Sequence, residues 1–306
     1  MAAVPDVHKR TAGALVDRPM PRAAKEALRS SWNTCTRISG RAASAIARGV
    51  DRLPGATTAW RTPEWIHSST KVAQNVDAVS PIELMSPIVA LVRVEIWSDV
   101  VCPWCFIGKR RFDNAVAQLR EKGVTEPIDI VFKAYQLDPT APIGSPTPVV
   151  DAYAKKFGGR ERAEQILQHV TSVAAGDDIT FNMDIALRAN TILCHRALHW
   201  VLENAGAQAQ VSFKENLLSA YFTEGLDVGD IDVVVSRAAQ CGFDDDVLRT
   251  WLDNGGGITE VQQDFQGAID REVTGVPAFF IDDKYFIPGA QETDVFVKVL
   301  ERILSL

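Results

Sequence analysis

From Val92 onward, short apolar runs alternate with longer stretches of helical spacing. Residues 92–97 (VRVEIW) read as a β-branched and aromatic strand. Residues 102–121 follow as an amphipathic helix with Phe106, Phe112 and Val116 on one side. Residues 128–135 alternate apolar and polar positions and predict a second strand; residues 138–148 form a proline-bearing loop. From Val149 the spacing turns helical, over 151–157, 160–175, 191–205, 209–222, 230–241 and 244–254. Gly158-Gly159, Gly206, Gly225, Gly242 and Gly255-Gly256-Gly257 punctuate these as stops. A helix over 259–271 leads into a hairpin, 278–282 and 284–288 around Asp283, and a closing helix over 293–304. The pattern is β-α-β, a helical block at about 149–271, then β-β-α: an α/β chain in two halves around an all-helical insertion.

The first strand-to-helix junction carries Cys102-Pro103-Trp104-Cys105. Partial positive charge at a helix N-terminus favours a thiolate there, so a lowered pKa is expected at Cys102. Cys105, one turn in, is close enough to form a disulfide with it. Thiol–disulfide exchange needs this division, with one sulfur to attack and a second to resolve the mixed disulfide. Attack falls to Cys102 and resolution to Cys105. Pro103 suits the first helical turn, and Trp104 adds apolar surface without charge. The competing readings are half of a zinc site and a buried structural pair. A closed zinc site needs about four ligands, whereas Cys35, Cys194 and Cys241 are single, and Cys194-His195 side by side chelates poorly.

Far downstream, Pro277 precedes the apolar run Ala278-Phe279-Phe280-Ile281. Proline cannot donate to a strand ladder, and X–Pro bonds can be cis. By itself Pro277 reads as a strand-entry proline; behind a C-x-x-C strand–helix unit it becomes a candidate wall of the site.

Six ordered stretches resemble the DsbA-like thioredoxin-fold oxidoreductases, and within them the FrnE-like subgroup: VEIWSDVVCPWCFIGKRRF from Val94, YQLDP from Tyr135, ANTILCHRALHW from Ala189, AYFTEGLDVGD from Ala220, TGVPAFFID from Thr274 and IPGAQ from Ile287. The resemblance spans about residue 92 to the C-terminus. It implies a thioredoxin fold with an inserted helical domain (core 90–137 and 272–306, insertion about 149–271) and dithiol chemistry at Cys102 and Cys105. It also implies a cis Val276–Pro277 bond and a substrate groove shaped by Val276 and Pro277. Three features depart from the pattern: Cys194 where a small residue is usual, Pro288 where a serine is usual, and the long N-terminal segment. Cys194 thus offers a third thiol near the site. Asn190, Thr191 and His195 fall near the cleft, either contacting substrate or forming, with Arg196, a polar network that packs insertion on core. Asp99 is either a proton acceptor for Cys105 or a loop cap. His169 and His199 read as surface residues, and Cys194 and Cys241 as buried small hydrophobes.

Composition narrows the partners. The chain has 306 residues, 46% hydrophobic and 23% charged, with net charge −7, which argues against nucleic acid. No apolar run has the length of a membrane span. Five cysteines with one close pair do not make a secreted disulfide scaffold, and no secretory signal is visible, so a cytoplasmic location is expected. Residues 1–50 carry nine Lys/Arg against three Asp/Glu, while the rest is acidic. Residues 1–86 read as a poorly structured basic extension, with a transit peptide and a translation start at Met85 as alternatives. The expected function is a thiol–disulfide oxidoreductase acting on protein or small-thiol substrates as a monomer or homodimer. No cofactor or metal is expected; glutathione is the candidate co-substrate. The rivals are a glutathione-dependent isomerase or transferase, of the chromene-carboxylate or kappa type, and a redox-regulated chaperone-like module.

Overall fold

The computed structural model describes residues 91–304; the basic extension at 1–86 lies outside the described residues. Strand β1 (Val92–Ser98) runs into helix α1 (Pro103–Glu121) and returns through β2 (Ile128–Ala134). Strands β1 and β2 pair in parallel, Val92 opposite Ile128 and Ser98 opposite Ala134. Near the C-terminus β5 (Ala278–Ile281) and β6 (Tyr285–Pro288) form a hairpin whose first strand pairs antiparallel to β1, Trp97 opposite Ala278. The turn rests on Asp282 and Asp283, both left-handed (φ 51° and 54°), so two residues rather than Asp283 alone make the bend. Helix α8 (Thr293–Leu304) closes the chain. The sheet order β2-β1-β5-β6, flanked by helices, is a thioredoxin fold.

The period-two pattern of the strands decides which helices cover which face. Val92, Val94 and Ile96 of β1 join Phe279 and Ile281 beneath α1 and α8, packing on Phe112, Leu119, Phe296 and Leu300. Phe112 lies 5.4 Å from Phe279 and 5.3 Å from Phe296, ring to ring. The opposite face carries Trp97, Ala278 and Phe280, packed with Ala268 and Val273.

Between the halves lies the helical insertion: α2 (Val149–Phe157), α3 (Arg160–Gly176), α4 (Ile192–Phe222), α5 (Ile231–Gln240), α6 (Asp245–Asp253) and α7 (Ile258–Asp270). The two helices expected at 191–205 and 209–222 run end to end as α4, kinked at Gly206 (φ 81°). The loop 138–148 holds an element that the periodicity did not show. Thr147–Pro148 (β3) pairs with Leu187–Arg188 (β4), a two-residue ladder too short to leave a pattern.

The insertion also seals the free edge of β2. An edge strand exposes unpaired N–H and C=O groups. Gln210 of α4 fits this edge like a strand fragment: its Oε1 accepts from Phe132 N (2.8 Å) and its Nε2 donates to Phe132 O (3.0 Å). Asp264 of α7 accepts from Ala134 N at 2.9 Å. These contacts hold α4 and α7 against β2, the parallel neighbour of β1.

Candidate active site

Cys102 is the N-cap of α1, in extended backbone (φ −91°, ψ 114°), with Pro103 next. Its carbonyl accepts from Cys105 N (3.0 Å) and Phe106 N (3.3 Å), so the helix begins at the first sulfur-bearing residue. The Val276–Pro277 bond is cis, and Val276 O accepts from the Cys102 thiol at 3.7 Å. Gly108 makes this approach possible: a Cβ there would stand 2.9 Å from Pro277 Cγ and 3.3 Å from Ala290. Arg111, three residues on, donates to Ala290 O and pairs with Glu292 and Asp177 at 2.8 Å, tying the 287–291 turn and the insertion to α1.

Both thiols are free and buried, Cys102 3% and Cys105 1% exposed, whereas Trp104 is 38% exposed. Burial pushes the Cys102 thiol well up, and the Cys105 sulfur, toward which it donates, adds to this. The Cys105 N–H at the helix start pulls it down, but less. The lowered Cys102 pKa expected from the helix terminus is therefore not realised in the closed dithiol. Burial raises Cys105 too, yet the Cys102 thiol, the Lys214 ammonium and the Ser98 hydroxyl bring it below its ordinary value. The two sulfurs are a coupled pair in which Cys102 is the harder and Cys105 the easier to deprotonate.

Asp99 is fully buried, and its contacts are those of a loop cap. Its Oδ1 accepts from Val100 N (2.8 Å) and its Oδ2 from Leu137 N (2.8 Å), capping two loops. Its Oδ1 also meets His195 Nε2 at 3.2 Å. Burial raises the Asp99 carboxyl; His195 and the Leu137 N–H more than offset this and hold it below the carboxylate range. Thr191 Oγ1 is buried without a hydrogen-bond partner among the described residues. Asn190 is engaged as a tie: its Oδ1 accepts from Gln136 and Ile192, and its Nδ2 donates to Ala141 O. Arg196 donates to Gly256 O and Leu252 O at the end of α6. For Asn190 and Arg196 the polar-network reading thus fits the contacts, while His195 points at Asp99 beside the dithiol.

Cys194 is buried, its thiol donating to Val228 O at 3.1 Å, and burial pushes it far up; it is no third reactive thiol. Cys241, expected to be buried, is half-exposed at the end of α5. His169 is exposed and His199 half-buried. Two residues went unnoticed in the sequence. Lys214 is fully buried and its charge acts on Cys105; its signal was a lysine on the buried stripe Gln210, Leu217, Leu218 and Tyr221 of α4. Tyr153 feels any charge on Cys102, although burial is the larger reason that its hydroxyl is pushed up to about 12. Together with Val101 it lines a groove of about 620 Å³, with Leu137 and Val149 as apolar wall and Asp138, Asp151, Lys155, Lys156 and Arg188 as charged groups, Arg188 being paired with Asp138. Among the described residues no group of three or more His, Cys, Asp or Glu side chains could hold a metal ion, and no helix is long and apolar enough to cross a membrane.

Electron exchange between sulfurs asks for little beyond this setting, and the fold around the pair is that of the thioredoxin-like thiol–disulfide oxidoreductases. Within that class the match is specific: residues 93–301 fit the DSBA-like thioredoxin domain, and the chain belongs to this family. It is a thiol–disulfide oxidoreductase. It is 27% identical over 219 residues to the uncharacterized protein YwbO of Bacillus subtilis (strain 168), covering 68% of this chain and 96% of that one. The crystal structure of a "probable DsbA oxidoreductase" from Streptomyces coelicolor is similar, with a TM-score of 0.64 and 28% identity over 70% of this chain and 90% of that one. The cytosolic disulfide reductase DsbM of Pseudomonas aeruginosa, solved with GSH, shares the fold at a TM-score of 0.51 and 14% identity, over 70% of this chain and all of that one (100%).

Proposed function

We propose that Cys102 and Cys105 are the redox centre of a cytoplasmic, FrnE-like dithiol enzyme that exchanges disulfides with protein or small-thiol substrates. One observation carries the order of action. Cys102 sits at the helix start against Val276 O, beside the cis-proline and the mouth of the groove, while Cys105 lies one turn deeper. Attack starts from the pair after it has lost one proton to solvent, with transfer of the Cys102 proton to the Cys105 thiolate it faces. The Cys102 thiolate then forms a bond to one sulfur of the substrate, and the other leaves with the electron pair as a thiolate. Next Cys105 loses its proton and attacks the Cys102 sulfur. This closes the Cys102–Cys105 disulfide and releases the second substrate thiolate. The enzyme is oxidised by two electrons and the substrate disulfide reduced to two thiols; the reverse sequence oxidises a dithiol.

Two sulfurs suffice for these electrons, so the reading needs no further cofactor. Glutathione as the small-thiol partner is supported by Lys155 and Lys156 of the groove, by the groove's lining at Val101, the residue before Cys102, and by the glutathione-bound DsbM of the same fold. A glutathione-dependent isomerase would not need the second sulfur, whereas here Cys105 is buried against the first. The test is turnover of insulin and of glutathione disulfide by single variants. Cys102→Ser is expected to abolish both; full activity in that variant would reject the reading.

A further inference from the structure

The groove holds two phenol hydroxyls that the exchange steps do not use. Tyr153 of α2 and Tyr221 of α4 both line it, together with Val101, the residue before Cys102. Tyr221 is only 1% exposed, and Tyr153 is half-buried. Neither hydroxyl makes a hydrogen bond among the described residues. A buried phenol O–H normally finds an acceptor, and leaving it without one costs free energy. Both rings are held by neighbours: Tyr153 lies 5.3 Å from Phe157 and Tyr221 lies 4.7 Å from Phe222, ring to ring. Burial pushes both hydroxyls up, that of Tyr153 to about 12, so each is an O–H donor at neutral pH.

The charges of the groove point the same way. Asp138 pairs with Arg188 at 2.7 Å, and Asp151 with Arg160 at 3.5 Å. Exposed Lys155 and Lys156 have no acidic partner among the described residues; Lys156 stands 5.5 Å over the Phe157 ring. Two ammonium groups at the surface and two O–H donors deeper in all call for a negatively charged acceptor. Leu137 and Val149 lie beside them as apolar wall, and about 620 Å³ is the size of a small-molecule site. Only a slender group reaches a hydroxyl on a side chain as deep as Tyr221. A carboxylate on a small molecule meets each of these conditions.

We propose that this groove is the specificity site of the enzyme, the hydroxyls of Tyr153 and Tyr221 donating to a carboxylate of a small disulfide substrate while Lys155 and Lys156 attract its charge. This rests on the dithiol reading above and adds what the substrate carries besides sulfur. A carboxylate accepts at both oxygens, so it takes the two O–H donors at once. Hydrogen bonds to an ionised acceptor are about twice as strong as neutral ones. A neutral disulfide gives the tyrosines no such acceptor, and a cationic one meets two ammonium groups of its own sign. Tyr153 and Tyr221 bind and select; the electrons pass through the cysteines alone.

The test uses the full chain and three disulfides that differ in charge: glutathione disulfide, which bears carboxylates, neutral hydroxyethyl disulfide and cationic cystamine. The native protein is expected to prefer glutathione disulfide in kcat/KM. In Tyr153→Phe and in Tyr221→Phe, the ratio of kcat/KM for glutathione disulfide to that for hydroxyethyl disulfide is expected to fall about tenfold. The fall should come through KM, since each change removes one hydrogen bond to a charged group. Lys155→Glu/Lys156→Glu is expected to move the preference toward cystamine. Melting temperature should hold in both phenylalanine variants, because each loses a hydroxyl that is unpaired in the free protein. Unchanged ratios in both phenylalanine variants overturn the proposal. So does an equal loss on the two disulfides, which marks packing residues. Failure of the dithiol reading would look different: the native protein would then turn over none of the three.

Discussion

Asp99 shows at the residue scale how one carboxylate ties the site together. Its Oδ1 and Oδ2 serve Val100 N, Leu137 N and His195 at once. Asp99→Asn turns one of these acceptors into a donor facing an N–H, which costs roughly 1–3 kcal/mol near neutral pH. Because Asp99 titrates below its unfolded value, it stabilises the fold above that value of 3.8 and stops doing so as pH falls through the lower folded pKa. Urea unfolding should therefore show a native-to-variant gap near neutral pH that narrows in acid below 3.8; a gap constant with pH would contradict this. Single residues were legible in the sequence when their chemistry was local. The strand-to-helix turn sets Cys102, Pro103 and Cys105 by itself. The partners of the sulfurs were not legible in the same way, since Lys214, whose charge acts on Cys105, lies more than 100 positions away on a helix of the insertion.

Elements meet the site through two contacts that periodicity cannot display. One is Gly108, which lets the Pro277 loop lie against α1. Gly108→Ala is expected to push Pro277 and Ala290 back, lose about 1–3 kcal/mol by overpacking, and slow exchange together with stability. A variant as stable and as fast as the native protein would refute the role given to this approach. The other is Gln210, which pairs with the edge of β2. Gln210→Leu keeps the bulk but leaves Phe132 N–H and C=O unmatched, at roughly 1–3 kcal/mol for each group, measurable by chemical denaturation. Strand and helix positions emerged from the sequence because burial repeats with the period of each element. The β3–β4 ladder did not, since two residues make no period, and the joining of 191–205 to 209–222 did not, since Gly206 reads equally as a stop and as a kink.

For the whole molecule, the two halves of the thioredoxin sheet and the insertion enclose the dithiol together: β1 and α1 supply the sulfurs, the β5 approach supplies Val276 and Pro277, and α4 supplies His195 and Lys214. All of these lie within residues 91–304. A chain beginning at Met85 should therefore melt at the same temperature and exchange disulfides at the same rate as the full chain, as calorimetry and insulin reduction would show. A clear loss of either would mean that the preceding residues contribute to the site.

The order of the two sulfurs is the central claim, and trapping tests it most directly. Each single variant is incubated with glutathione disulfide and its intact mass is recorded. Cys105→Ser is predicted to hold one glutathione on Cys102 as a lasting mixed disulfide, located by peptide mapping, and Cys102→Ser to hold none. A stable adduct on Cys105 in the Cys102→Ser protein, with none on Cys102 in the other, would contradict the assignment and reverse the roles of attack and resolution.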